Sequence, residues 1–207
     1  MRLLSALFLG LALAAGSASA KDHVQFGYRG EALPLTKLTT LHSREGETLD
    51  AFALRAGVWF RNFTTGSSYE ACGPVMVSSQ EEGRWAIPVF SNLSQLGCAM
   101  PEAVVEGFVA TGETIHSHPV EKVVKPNARD RVFVAGQSNR FNAERRQRRT
   151  VDSSKFSATD FASGAGYLVA DNKVFYQNGP SSVRQVGELP AEVPVEETGP
   201  TVAQVTP

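Results

Sequence analysis

In residues 47–60 the apolar side chains Leu49, Phe52, Ala53, Ala56, Trp59 and Phe60 recur at the spacing of one helix face. Beyond residue 60 the period changes. Thr64-Thr65-Gly66-Ser67-Ser68 reads as a break, and residues 69–77 and 84–90 read as neighbouring strands around a Glu81-Glu82-Gly83 turn. Residues 166–170 and 173–177 flank Asp171-Asn172 as a hairpin, while residues 103–111 suit helix and strand equally. A helical period set among strand periods predicts a single α/β (α+β) domain.

Both ends of the chain read as separate from that domain. Residues 1–20 carry Arg2, an apolar run and an Ala18-Ser19-Ala20 step, the pattern of a Sec-type signal peptide cleaved after Ala20. The run is short for a bilayer span and nothing later approaches one. The expectation is therefore an exported protein, periplasmic or secreted, with no transmembrane segment. Residues 188–207 hold four Pro and four Glu with no Lys, Arg or aromatic, which predicts a disordered acidic tail. Residues 21–187 remain as the domain.

Chemistry begins at His116-Ser117-His118-Pro119. On a strand, alternation sends both imidazoles to one side, close enough to share a metal; a surface histidine pair at a strand end is the plainer alternative. A catalytic zinc site needs a third ligand and an open position. Asp160 can supply it from Ser157-Ala158-Thr159-Asp160, although Ser157 or Thr159 capping a short helix explains that segment equally well. Upstream, Glu70 stands at the start of an apolar strand, where a solvated carboxylate is the ordinary case.

Taken in order, Glu70-Ala71-Cys72-Gly73-Pro74-Val75, His116-Ser117-His118-Pro119 and Ser157-Ala158-Thr159-Asp160 resemble the motifs of the JAMM (MPN+) zinc metallopeptidase family. The likeness covers residues 47–177, and looks closest to bacterial members grouped as a domain of unknown function (number 4329). It implies a mixed β-sheet flanked by helices, similar to the cytidine-deaminase fold, and hydrolysis of peptide or isopeptide bonds. In the roles it implies, His116, His118 and Asp160 hold Zn²⁺, Glu70 is the general base and Ser157 donates to the oxyanion. The chain departs from the family's usual pattern twice. Residues 119–156 replace a short spacer, and Pro74 stands where an apolar strand residue is usual, which suggests an edge or a bulge.

The long spacer, residues 120–155, holds ten Lys and Arg against four Asp and Glu, densest at Arg145, Arg146, Arg148 and Arg149. A solvated basic loop is one reading. The other is a lid drawing an anionic partner towards the site, whether peptidoglycan-type peptide, lipid headgroup or, least expected in an exported protein, nucleic acid. Cys72 and Cys98 can form one disulfide in an oxidising compartment or remain two buried thiols.

Other hydrolase classes fit less well. The His-x-Glu of zinc deaminases, the His-Glu-x-x-His of thermolysin-like enzymes and the Gly-x-Ser-x-Gly elbow of serine hydrolases are all missing. A lysostaphin-like site needs an earlier His-x-x-x-Asp, but Gly27 and Gly46 follow His23 and His42 at that spacing. A non-catalytic envelope-binding or toxin-associated module on the same fold is the competing expectation.

Overall fold

The structure, a computed structural model, describes residues 23–25, 32–120, 123–135, 149–150 and 153–191. In chain order the elements are β1 (His23–Gln25), β2 (Ala32–Pro34), β3 (Thr36–His42), α1 (Leu49–Ser67), β4 (Cys72–Ser78), β5 (Trp85–Ser91) and β6 (Phe108–Ser117). Then come β7 (Val123–Val124), α2 (Ala128–Ala135), β8 (Arg149–Thr150), α3 (Ala158–Ala162), β9 (Gly166–Ala170), β10 (Lys173–Gln177) and β11 (Arg184–Glu188). Seven strands form one sheet in the order β11-β10-β9-β6-β4-β5-β3. Every pairing in it is antiparallel except β6 with β9.

Helix α1 covers one face of this sheet. Thr48 caps its start by accepting the Ala51 N–H, and Phe52, Ala53, Ala56, Phe60 and Phe63 form the buried stripe. They meet Val75, Ile87, Val89, Ile115, Tyr167, Val169 and Val174 in the main core. Gly57 belongs to the same stripe because a Cβ there would come within 2.8 Å of Val174. The helix does not break at Thr64-Thr65-Gly66 as its composition suggests. Burial of Phe63 and Thr64 carries it on to Ser67, and Ser68 ends it at φ 60° with its N–H on the Thr64 carbonyl.

The hairpin of β4 and β5 falls where alternation places it. Residues 103–111 resolve as the approach to β6 and its first residues. Pro74 lies in a strand flanked on both sides, so it is not at an edge; the pairing with β6 shifts register between Pro74 and Met76, which is the bulge a missing donor demands. Asp171 and Asn172 both adopt positive φ, the geometry of a tight two-residue hairpin turn. Past Gly187 the chain continues in the sheet to Glu188, and Leu189 is buried with its N–H on the Asn172 carbonyl. The expected signal peptide, residues 1–20, and residues 192–207 of the expected tail lie outside the described residues.

Parallel pairing brings the carboxyl ends of β6 and β9 to the end of the sheet where β4 begins. The connection between β6 and β9 carries β7, α2, β8 and α3, so the long insertion and the third expected ligand share one crossover. Cys72 and Cys98 are joined, with Cα atoms 5.8 Å apart, tying the start of β4 to the loop after β5.

Candidate metal centre

Ser117 sets the direction of the two histidines. Its hydroxyl lies 2.6 Å from that of Thr64 on α1 and accepts the Ala71 N–H, so it faces the α1 core. Alternation then turns His116 and His118 to the opposite face. His118 lies just past the end of β6, held there by its N–H on the Val169 carbonyl. Its Nδ1 is 3.1 Å from the Ser153 carbonyl, which can only accept, so Nδ1 carries a proton and Nε2 is the nitrogen left to act as a metal ligand.

Asp160 arrives from the other side of the crossover. Ser157 caps α3, accepting the Asp160 N–H at 3.2 Å, while Asp160 Oδ2 accepts the Ser157 N–H at 2.6 Å. The capping reading of Ser-x-x-Asp is the one seen, and it leaves the ligand reading open: the reciprocal cap occupies one carboxylate oxygen and leaves the other beside His116. No side chain of α3 is buried, so its placement depends on few contacts. Gln177 of β10, itself buried, donates to the carbonyls of Gly164 and Asp160, and the Phe161 ring lies 5.7 Å from Phe156. Phe156 in turn meets the His116 ring edge-on.

These parts converge. His116 Nε2 is 3.2 Å from His118 Nε2 and 3.4 Å from Asp160 Oδ1, and His118 Nε2 is 3.7 Å from Asp160 Oδ2. Ligands at 2.0–2.1 Å around a tetrahedral zinc stand roughly 3.3 Å apart. His116 has that spacing to both other residues, the His118 contact at 3.7 Å is with the cap oxygen Oδ2, and one donor atom from each residue lies within 4.8 Å of the others. Two imidazoles and one carboxylate also suit zinc better than the oxygen-seeking cations. Their side chains keep 11–17% of their surface exposed, enclosed yet reachable from solvent. Burial raises the affinity of Asp160 for its proton, but the hydrogen bond and charge of His116, the Ser157 N–H and the charge of His118 outweigh it and hold the carboxyl well below the usual range.

Glu70 sits just before β4 and is 7% exposed, not the solvated strand end its position suggests. Ala71 and Val75 belong to the α1 core, so alternation places Glu70 on the histidine face. Its backbone is fixed on both sides: the N–H donates to the Ser94 carbonyl at 2.8 Å and the carbonyl accepts the Ser91 hydroxyl at 2.7 Å. Burial first, then the negative charges of Asp160 and Asp130, push its carboxyl well above the ordinary glutamate range.

Of the expected residues, His116, His118 and Asp160 come together, and Glu70, just before β4, feels the charge of Asp160. Cys72, joined to Cys98, pairs with His116 across the sheet. Ser157 is exposed, and its hydroxyl, already accepting from Asp160, keeps its hydrogen for donation. Arg145, Arg146 and Arg148 lie outside the described residues, and Arg149 is described only as backbone in the short β7–β8 ribbon. Three supports escape the sequence reading: the Ser153 carbonyl, Gln177 and Asp130. Only Asp130 leaves a trace, in Asn127-x-x-Asp130, the same spacing as Ser157-x-x-Asp160. Compared with protein families, curated proteins and solved structures, the chain matches none of them.

Proposed function

We propose that the chain is an exported zinc-dependent peptidase or isopeptidase. The observation that carries this reading is a set of three donors within 4.8 Å of one another, with a buried, proton-hungry Glu70 whose carboxyl feels the charge of Asp160. Zinc in such a site supplies Lewis acidity and brings the pKa of a bound water near neutrality. Glu70 takes the proton of the attacking water and passes it to the leaving nitrogen. The Ser157 hydroxyl donates to the oxyanion that develops on the carbonyl. Phe156 and Phe161 wall the His116 side with apolar surface, which limits bulk water. The Cys72–Cys98 bond agrees with an oxidising compartment, as export would provide. Among the described residues no helix is long and apolar enough to cross a membrane.

The test is the purified mature chain, its metal content, and its activity on peptides, muropeptides and isopeptide-linked proteins. Wild type should hold one zinc and hydrolyse one of these classes, and Glu70→Gln should keep the zinc and lose turnover. A chain that takes up no zinc, with a fold indifferent to chelators, would overturn the reading in favour of a non-catalytic envelope-binding module. An anionic peptide substrate drawn by Arg145, Arg146, Arg148 and Arg149 belongs to the same proposal. Changing all four to Gln should weaken an acidic substrate and leave a neutral one untouched.

A further inference from the structure

The crossover insertion grips the same platform that holds Glu70. Asp130 in α2 has no exposed surface, and its Oδ1 accepts both the Ser94 hydroxyl at 2.6 Å and the Gln95 N–H at 2.7 Å. Its Oδ2 accepts the Asn127 N–H at 2.6 Å. Around this knot, Asn127 Nδ2 donates to the Leu93 carbonyl and Arg129 to the Asn92 carbonyl. The Phe133 ring lies so close over Gly97 that a Cβ there would come within 2.8 Å of it. Ser94 is thus a joint with two sides: its hydroxyl belongs to Asp130 and its carbonyl to the Glu70 N–H. The platform is closed at its far end by Cys98, bonded to Cys72 two residues after Glu70. None of the bonds in this knot includes His116, His118 or Asp160.

We propose that Asp130 is a positioning residue for Glu70, acting through Ser94 to fix the platform from which the Glu70 carboxyl enters the site. The proposal takes Glu70 to be the base of the peptidase reading. Without the Asp130 carboxylate, the Ser94 O–H, whose oxygen still accepts the Leu96 N–H, and the Gln95 N–H lose their acceptor in a largely buried place, and the platform must shift or admit water to satisfy them. Either response moves the Ser94 carbonyl, and with it the backbone of Glu70. Displacement of a catalytic group by about 1 Å costs on the order of a hundredfold in rate. The insertion therefore does more than lengthen a loop, since its first helix completes the wall behind the base.

The experiment compares full-length mature Asp130→Ala, Asp130→Asn and Ser94→Ala with wild type, all loaded with zinc. The readouts are zinc content, exchange of the Glu70 amide hydrogen, and kcat and KM on whichever peptide substrate wild type hydrolyses. Asp130→Ala and Ser94→Ala should keep one zinc and exchange the Glu70 amide at least about tenfold faster, with β9 and β10 amides unchanged. Their kcat should fall on the order of tenfold to a hundredfold with KM within about twofold. Asp130→Asn, whose Oδ1 can still accept from Ser94 and Gln95, should recover most of kcat. Unchanged exchange and kcat in both alanine variants would overturn the proposal, as would loss of zinc from a folded Asp130→Ala chain. Should Asp130→Ala fail to fold, Ser94→Ala decides the matter alone. Should wild type hydrolyse no peptide, the peptidase reading fails, and amide exchange still decides whether Asp130 holds Glu70.

Discussion

Helices α2 and α3 begin with the same device and end in different chemistry. Asn127 and Ser157 each donate a backbone N–H to an aspartate three residues on, at 2.6 Å in both cases. Each aspartate N–H returns to the side chain of the first residue, at 2.8 Å for Asp130 and 3.2 Å for Asp160. The cap thus uses one carboxylate oxygen and aims the other. For Asp130 the second oxygen meets a hydroxyl and a backbone N–H, neutral donors that close a buried knot. For Asp160 it meets His116, while His118 stands nearest the capped oxygen. What surrounds the free oxygen, more than the motif, decides whether a capping aspartate is structure or ligand.

Breaking each cap separately sharpens that contrast. The largest effect is expected from Asp160→Asn, which should lower zinc affinity on the order of a hundredfold or more, beyond what loss of a supporting residue costs. Competition with a chromophoric chelator would measure it, and unchanged affinity would put Asp160 in the same class as Asp130. Asp130→Asn should leave zinc affinity within about twofold. It should lower unfolding free energy by about 1–3 kcal/mol in urea, because a donor amide replaces an acceptor facing the Asn127 N–H.

Glu70 feels both aspartates, and its pH behaviour is opposite in sign to that of Asp160. Its folded-state affinity for a proton exceeds the ordinary value of 4.5, so stability of the metal-free protein should fall as pH rises above that value. Asp160 is held below 3.8, so its contribution is present above that pH and is lost on acidification. Thermal melts of the metal-free Glu70→Gln variant should show the neutral-pH decline removed, with a melting temperature higher by on the order of 3 °C. An unchanged pH profile would mean that Glu70 is hydrated and not the buried base. The smallest effect is expected from Ser157→Ala. It removes one bond of an exposed cap, costs about 1 kcal/mol, and should slow turnover more than it weakens zinc.

The grouping of His116, His118 and Asp160 was legible because each half of it is local. His-x-His needs only strand alternation, and Ser-x-x-Asp needs only the first turn of a helix. The distance between the two halves was not, since it depends on β6 and β9 lying side by side across the whole insertion. Asp130 was hidden for the same reason, its partners Ser94 and Gln95 standing far back in the chain, within an insertion whose basic charge dominates its composition. The end of α1 was misjudged on Thr64-Thr65-Gly66-Ser67, where local preference favours a break. Burial of Phe63 and the Thr64–Ser117 contact outweigh that preference. Glu70 reads as solvated in sequence because nothing near it in the chain announces the platform that covers it.

The single parallel pairing also orders events in time. Antiparallel neighbours such as β4 with β5 and β9 with β10 can zip from short turns. The β6–β9 pair must first close the entire crossover, a long loop whose entropy is lost before any contact rewards it. It is therefore expected to join last, and until it does, His116 and His118 have no carboxylate beside them. A partly folded chain presents no complete trap for zinc, so capture of the ion would report that folding is finished. Stopped-flow refolding with a fluorescent zinc indicator would show metal uptake lagging the formation of secondary structure.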